Sequence, residues 1–370
     1  MESRIVLRPS LLALLPSLIL ASCASTPPRT APPSQPLARG VAWLLARQSP
    51  DGAWRSESYA VFEEGPIGTA AALWALTACP EGSVPRASID RGVAYLRAKI
   101  GAGGKVTSEL PTCASALAAV VFARVAGPDD PDVKRIAAWL RGCQLAEPLG
   151  WAPSDRAYGG WDRAGEWARK PNLGQADLSL VAFVADALEA ARVPADDPVW
   201  ERALMFTSRC QQADGGFLAT PVPTLGVLNR AGEGKSYGTA TCDGVRAMIA
   251  CGGAADASGA WLDAQGASEV PSGLSVEWAE ALRYYHAYVS VRARRVRGLA
   301  ADVSWLGRLQ REDGSWANPQ PLMKEDDPLV ATCLAVAALA EAEAGPLPPR
   351  EQDDGVGQWP SRPSIASSRR

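Results

Sequence analysis

Glu277, Glu280 and Tyr284 fall at i, i+3 and i+7 within the segment Val276–Arg292, a spacing that sets two carboxylates and a phenol on one face of a helix. If that face lines a cavity, crowding of like charges raises the pKa of one carboxyl and makes it a candidate general acid or base. The plainer reading is an N-terminal turn whose glutamates complement the helix dipole in solvent. Two more residues join these weak catalytic candidates. Asp177 heads the apolar run Asp177-Leu178-Ser179-Leu180-Val181, and His286 is the only histidine, set beside Tyr284 and Tyr285. Gly232-Glu233-Gly234-Lys235-Ser236 has the outline of a phosphate loop, but Asn229 stands where its first glycine is needed and no strand leads into it, so it reads as a surface loop.

The elements that must position such residues are announced by repetition. An aromatic residue followed five positions later by Gln occurs at Trp43/Gln48, Trp139/Gln144, Phe206/Gln211 and Trp305/Gln310. Three copies continue as Q-x-x-D-G-x-aromatic, through Gln48, Asp51, Gly52 and Trp54, through Gln211, Asp214, Gly215 and Phe217, and through Gln310, Asp313, Gly314 and Trp316. Asp-Gly is a turn pair, because Asp tolerates and Gly permits the backbone angles required. Gln144 reaches an aromatic at Gly150-Trp151 with one extra residue, while Val93-Ala94-Tyr95-Leu96 and Gly259-Ala260-Trp261-Leu262 keep the helix and lose the turn. That makes six units, and the 262 residues from Trp43 to Trp305 set the period at roughly fifty.

Each unit continues into a second, more apolar helix, expected over Gly68–Ala78, Thr112–Ala126, Leu178–Val193, Thr239–Cys251, Val276–Arg292 and Leu329–Ala342. These are apolar on nearly every side and need neighbours all round. Six helical pairs stack as an open solenoid or close into a ring, and the second helices favour the ring with themselves inside. The expected fold is all-α, an (α/α)6 toroid.

With these turns in hand, a family resemblance can be stated. Q-x-x-D-G-x-W resembles the QW motif of squalene-hopene cyclases, and six helical pairs resemble the toroid of terpenoid cyclases, protein prenyltransferase β subunits and complement-type thioester domains. The resemblance covers about Leu37 to Gly345 and implies fold more than chemistry. The cyclases it brings to mind carry a D-x-D-D-T acid at the start of an inner helix. Aligned on Thr332, the acid positions are Pro328, Val330 and Ala331; on Thr241 they are Tyr237, Thr239 and Ala240; on Thr69 they are Gly65, Ile67 and Gly68. Asp177 supplies one acid of three. Prenyltransferase zinc needs Asp, Cys and His, and here Cys242 and Asp243 are adjacent, about a hundred degrees apart on a helix. The thioester motif is missing at Gly142-Cys143-Gln144. We therefore expect no cofactor, no metal and a hub without clustered carboxylates.

Two loops are long enough to cover a site. Gly150–Pro171 carries Trp151, Tyr158, Trp161 and Trp167, expected with Tyr284 and Tyr285 to line a ligand's path or to pack across the ring's end, and 217–237 is rich in Gly and Pro. At the amino end, Arg4 and Arg8 precede an apolar run from Leu11 to Leu20 and then Leu20-Ala21-Ser22-Cys23. Residues 1–22 resemble a bacterial lipoprotein signal peptide, too short in its apolar run to span a bilayer. The resemblance implies that Cys23 is acylated and anchors the exported chain to a membrane. Ala24 in place of Asp favours the outer membrane where a cell has one. Residues 23–36 read as a proline-rich tether, 37–345 as the toroid and 346–370 as a disordered tail. A net charge of −3 argues against nucleic acid. Seven cysteines beyond Cys23 read as small hydrophobes. Two functions follow: a non-cyclising toroid that binds a lipid-like ligand or a partner protein through its mouth, or a terpenoid-cyclase or polysaccharide-lyase type enzyme using unrecognised acids.

Overall fold

In the computed structural model the described residues are 32–172, 175–222 and 229–348. The signal peptide, Cys23, most of the tether and the tail from residue 349 lie outside them. Among the described residues the chain forms helices with no strand, and no helix is long and apolar enough to cross a membrane. No disulfide joins any two of the seven described cysteines.

The helices alternate between two layers. In chain order they are α1 (Gln35–Ala46), α2 (Ala60–Glu63), α3 (Pro66–Leu76), α4 (Arg86–Arg97), α5 (Pro111–Ala126), α6 (Pro131–Gly142), α7 (Leu178–Ala190), α8 (Pro198–Cys210), α9 (Gly238–Ala250), α10 (Asp256–Gln265), α11 (Val276–Ala281), α12 (Arg283–Val296), α13 (Leu306–Leu309) and α14 (Pro328–Glu343). Starts are set by local chemistry. Asp130, Asp177, Asp197 and Asp327 cap α6, α7, α8 and α14 with their side chains, and Pro occupies the first turn of α3, α5, α6, α8 and α14. The helix of α1 begins two residues earlier than the expected domain start, because Ser34 caps it.

Helices α3, α5, α7, α9, α12 and α14 form the inner ring, each packed on the next and α14 packed back on α3. The ring is closed. Outer helices are amphipathic: α4 buries Ile89, Val93 and Leu96 and turns Arg86, Asp90 and Arg91 outward. Inner helices bury residues on more than one side; α3 buries all but one of its eleven.

One lock recurs at three of the turns and ties a unit to the next. The Gln48 carboxamide donates to Gly52 O at 3.1 Å and to Ser88 O, at the start of α4, at 2.9 Å. Gln144 does the same to Gly159 O and Val199 O, and Gln310 to Gly314 O and Pro36 O. The turn glycine must be glycine: at Gly52, where φ is +91°, a Cβ would stand 2.4 Å from Arg91 O of the following outer helix. The aromatic of the motif fills the space beneath, its indole N–H donating back to the outer helix, as Trp54 does to Leu44 O and Trp316 to Leu306 O. Because Gln310 reaches Pro36, Trp43 donates to Asp313 at 2.9 Å and Arg39 donates to Arg311 O and Glu312 O, the last turn grips the first helix and shuts the ring.

Three expectations are corrected. The aromatic partner of Gln144 is Trp161, not Trp151: Gln144 pairs with Trp161 across the turn, the Trp161 indole donates to Leu140 O, and 145–158 is a loop inserted inside the motif. The second unit keeps its turn, with Ile100 in the glutamine place, Gly104 at φ +93° facing Arg135 O, and Val106 in the aromatic place. The fifth inner segment is not one helix. It breaks at Leu282, where Asn318 and Glu325 from the following loop take over the freed backbone groups of Glu280, Tyr284 and Tyr285.

The lock is testable. Gln310→Ala removes the closing hydrogen bond to Pro36 O and the turn bond to Gly314 O and is expected to cost about 1–3 kcal/mol in urea unfolding, with faster hydrogen exchange in α1. An unchanged midpoint and unchanged α1 exchange would mean that Gln310 does not close the ring.

Candidate functional site

Side chains from alternate inner helices can touch only where they reach the ring's axis. Trp74 of α3, Phe183 of α7 and Tyr288 of α12 do so: Trp74 meets Tyr288 edge-on with centroids 4.6 Å apart, and Phe183 stacks on Tyr288 at 6.1 Å. The Arg246 guanidinium lies over both Phe183 and Tyr288, 5.4 and 5.3 Å from their centroids. The axis is filled at this level.

Around this plug runs a buried ion-pair network. Arg246 bridges Asp243 at 2.8 Å and Asp186 at 2.7 Å; Arg292 bridges Asp186 at 3.1 Å and Glu341 at 3.2 Å; Arg124 and Arg295 also reach Glu341. Carboxylates therefore do cluster at the hub, contrary to expectation, but each lies against arginine. Burial alone would push Asp186 up, yet Arg292 and Arg246 outweigh it and hold the carboxyl below its ordinary value. Burial dominates for Asp243, which rises to about 6 against the opposing pull of Arg246. The sequence signal for this network was a charge inside a mostly apolar inner helix, as with Asp186 in the middle of Leu178–Ala190 and Arg124 in Pro111–Ala126.

Toward the amino ends of α7, α9 and α12 a cavity of about 120 Å³ remains, lined by Arg163, Asp177, Arg230, Thr239, Asp243 and Tyr285 among others. Asp177 accepts from Leu180 N, Arg163 and Ser179. Asp243 accepts the Tyr285 hydroxyl at 2.7 Å. Behind Tyr285 lies Glu325, 1 % exposed, which accepts the N–H groups of Tyr284 and Tyr285 and a proton of Asn318. Burial pushes this carboxyl up to about 8 despite those donors.

The structure brings Asp177 and Tyr285 to one cavity and scatters the other candidates. Glu277 is exposed in the first turn of α11, and Glu280 pairs with Arg283 at 2.6 Å. The break at Leu282 removes the shared face that would have joined them to Tyr284, whose hydroxyl lies toward Ala317 O. His286 is buried, with Nδ1 unpartnered among the described residues, and burial lowers it to about 4. No cluster of His, Cys, Asp and Glu that could hold a metal occurs among the described residues. In the aromatic loop, Trp151 donates to Ala168 O, Tyr158 to Glu147, and Trp161 belongs to its turn; all three are buried. Trp167 alone stands out, 72 % exposed.

No protein-family model matches the chain, and no curated protein matches it in sequence. Solved structures do share its fold. The type II terpene cyclase MstE from Scytonema is 17% identical at a TM-score of 0.55, covering 84% of this chain and 97% of that one. A variant of that cyclase in complex with geranylgeranyl dihydroxybenzoate as substrate is 16% identical at 0.55, covering 84% and 96%. A protein from Actinoplanes is 17% identical at 0.55, covering 84% and 98%. The chain thus has a terpenoid-cyclase-like α/α toroid, and at these identities the likeness is one of fold.

Two measurements probe the site's electrostatics. Between the ordinary glutamate value of 4.5 and about 8 the folded chain keeps the Glu325 proton that the unfolded chain has lost, so rising pH costs stability across that window. Asp243 acts in the same sense but only up to about 6, and His286 in the opposite sense only between about 4 and 6.5. The urea midpoint is therefore expected to fall between pH 6.5 and 8 and to flatten in Glu325→Gln; a wild-type midpoint that rises there contradicts the burial argument. Asp186→Ala, which takes from Arg246 and Arg292 the buried carboxylate they share and leaves each with a single partner, is expected to cost about 3–5 kcal/mol, against less than about 0.5 for Glu277→Ala. Equal losses would show that the hub pairs carry no special weight.

Proposed function

We propose that this protein is an exported, lipid-anchored binding module built on a non-cyclising terpenoid-cyclase-like toroid, which engages a lipid-like ligand or a partner protein at its mouth. The observation that carries this reading is the filled axis. Trp74, Phe183, Tyr288 and Arg246 occupy the space that a polyprene would need in order to fold inside the ring, and the cavity left above them is about 120 Å³, below the roughly 300–1,000 Å³ of ordinary ligand pockets. Alkene protonation needs a carboxylic acid held neutral and strongly acidic. Asp186 and Glu341 are clamped by arginines, and both oxygens of Asp243 already accept, from Arg246 and from Tyr285.

The mouth has features of a contact surface. Trp167, Val276 and Leu322, exposed large hydrophobic side chains, lie in the segments that lead into α7, α12 and α14. The chain joins the toroid on the opposite face, where Ser34 N meets Glu343 at the end of α14. The anchor itself rests on Arg4, Arg8, the Leu11–Leu20 run and the cysteine that follows.

A second reading has one observation in its favour. Asp243, lifted to about 6 beside the Tyr285 hydroxyl and open to the cavity, suits acid–base work on a small polar substrate.

The assay is incubation of the purified chain with squalene and with geranylgeranyl dihydroxybenzoate, followed by mass spectrometry of the extract. Recovery of unchanged substrate is expected, and a cyclised product overturns the module reading. Lipids extracted from the purified protein should include a co-purifying species if the ligand is lipid-like; its absence favours the partner-protein form. Cys23→Ala is expected to move the chain out of the membrane fraction, and a variant that still pellets with membranes removes the anchor.

A further inference from the structure

We propose that the open hollow beside Trp167 is a site for a sugar ring of a glycan chain, a ligand class outside the reading of the mouth given above and independent of it. The side chain is held out by a segment with little freedom to withdraw it. At Gly165, where φ is +66°, a Cβ would stand 2.8 Å from the Trp139 ring, so the turn Gly165–Ala168 sits flush on α6. The Trp151 indole donates to Ala168 O at 2.8 Å, and Lys170 N donates to Leu149 O at 3.0 Å. Asn172 then closes the segment by donating its side-chain amide to Trp167 O at 2.7 Å. The other three aromatics of the loop are buried, whereas Trp167 is 72 % exposed. A large aromatic kept in water on a pinned backbone is a surface presented for contact, and its ordering is complete before any ligand arrives.

What surrounds the indole selects the ligand. Glu166, Arg169, Lys170, Pro171 and Asn172 line the hollow with it, enclosing about 340 Å³, within the roughly 300–1,000 Å³ of small-molecule sites. Pro171 and the indole supply the apolar part. The polar part is mixed, since Glu166 only accepts, Arg169 only donates and the Asn172 amide does both. All three are exposed, and the bonds that hold them use only part of each group. Glu166 accepts from Lys105 and Trp139, Arg169 gives Pro148 O one of its five donors, and Asn172 gives Trp167 O one of its two amide protons. Two of the three charges in the wall are already neutralised, Glu166 by Lys105 and Lys170 by Asp155. A β-linked pyranose matches this make-up, with a flat face of C–H groups to lie on an aromatic ring and a rim of hydroxyls that each donate and accept. A bilayer fits less well, because the neighbours of Trp167 in the chain are the exposed Glu166 and the buried Ala168, and no second apolar side chain of this loop is exposed to extend the contact.

The test is isothermal titration calorimetry of the full chain in a polyoxyethylene detergent, which carries no sugar. The titrants are cellotetraose and tri-N-acetylchitotriose, with mannitol, a polyol that has the hydroxyls and no ring face, as the control. Saturable binding is expected for at least one of the two, together with a blue shift in tryptophan emission. Affinity should be about fivefold weaker in Trp167→Leu, which keeps an apolar side chain and loses the flat face, and close to wild type in Trp167→Tyr, which restores a ring. Asn172→Ala should bind about two- to tenfold more weakly, the equivalent of one hydrogen bond. These are surface positions, so the variants keep the wild-type urea midpoint. No saturable heat above mannitol, or wild-type affinity in a Trp167→Leu protein whose midpoint is intact, overturns the site. Emission that shifts to the blue as micelles form and does not respond to sugar assigns Trp167 to an apolar surface and also overturns it. A cyclised product in the polyprene assay sinks the module reading without touching this titration, and an absent sugar heat with no cyclisation sinks the glycan site alone.

Discussion

The two protons of one carboxamide hold this architecture together. In three of its turns a glutamine donates one to the carbonyl of the turn glycine and the other to the carbonyl at the head of the next outer helix. Glutamate could not do this, having no proton to give when ionised, and a carboxamide carries the two donors that the geometry asks for. Where the glutamine is lost, as at Ile100, the turn survives because Gly104 still lets the backbone close on Arg135 O. The glycine contact sets the approach of neighbouring units, and the glutamine secures it. Repeated round the chain, that approach brings the sixth unit to the first.

Closing the ring creates a problem at its centre. Six inner helices buried on all sides must fill a shared axis that none of their neighbours covers. This protein fills it with three aromatic rings and an arginine stacked against two of them. It then surrounds the plug with arginines and carboxylates drawn from α5, α7, α9, α12 and α14. Buried ions are costly to desolvate and tolerable only when every one is paired. Hence the network runs continuously from Asp243 through Arg246, Asp186 and Arg292 to Glu341. At this level the axis of the toroid is occupied by the protein's own side chains.

What space survives lies nearer the helix starts, and its character comes from an interruption. The fifth inner helix breaks at Leu282, and Glu325 from the next unit caps the restarted helix from behind. That leaves Tyr285 free to hold Asp243 at the cavity wall and leaves α9 as the helix beside it without a side-chain cap.

The sequence alone determined the all-α toroid, because aromatic, glutamine and Asp-Gly recur at a period that a helical pair occupies, and because runs such as Leu329–Leu339 are too apolar to face water anywhere. It located Trp54, Phe217 and Trp316 in their turns for the same local reason. It misplaced the partner of Gln144, since a loop inserted inside a motif hides the aromatic that closes it, and it joined Glu277, Glu280 and Tyr284 on a helix face that a residue from another unit interrupts. Only the tertiary structure decided the hub. Asp186, Arg246, Arg292 and Glu341 lie far apart along the chain, and a charge on the buried face of an inner helix says that a partner is needed without saying where it comes from. The curvature of the closed ring chooses that partner, because it decides which side chains meet at the axis.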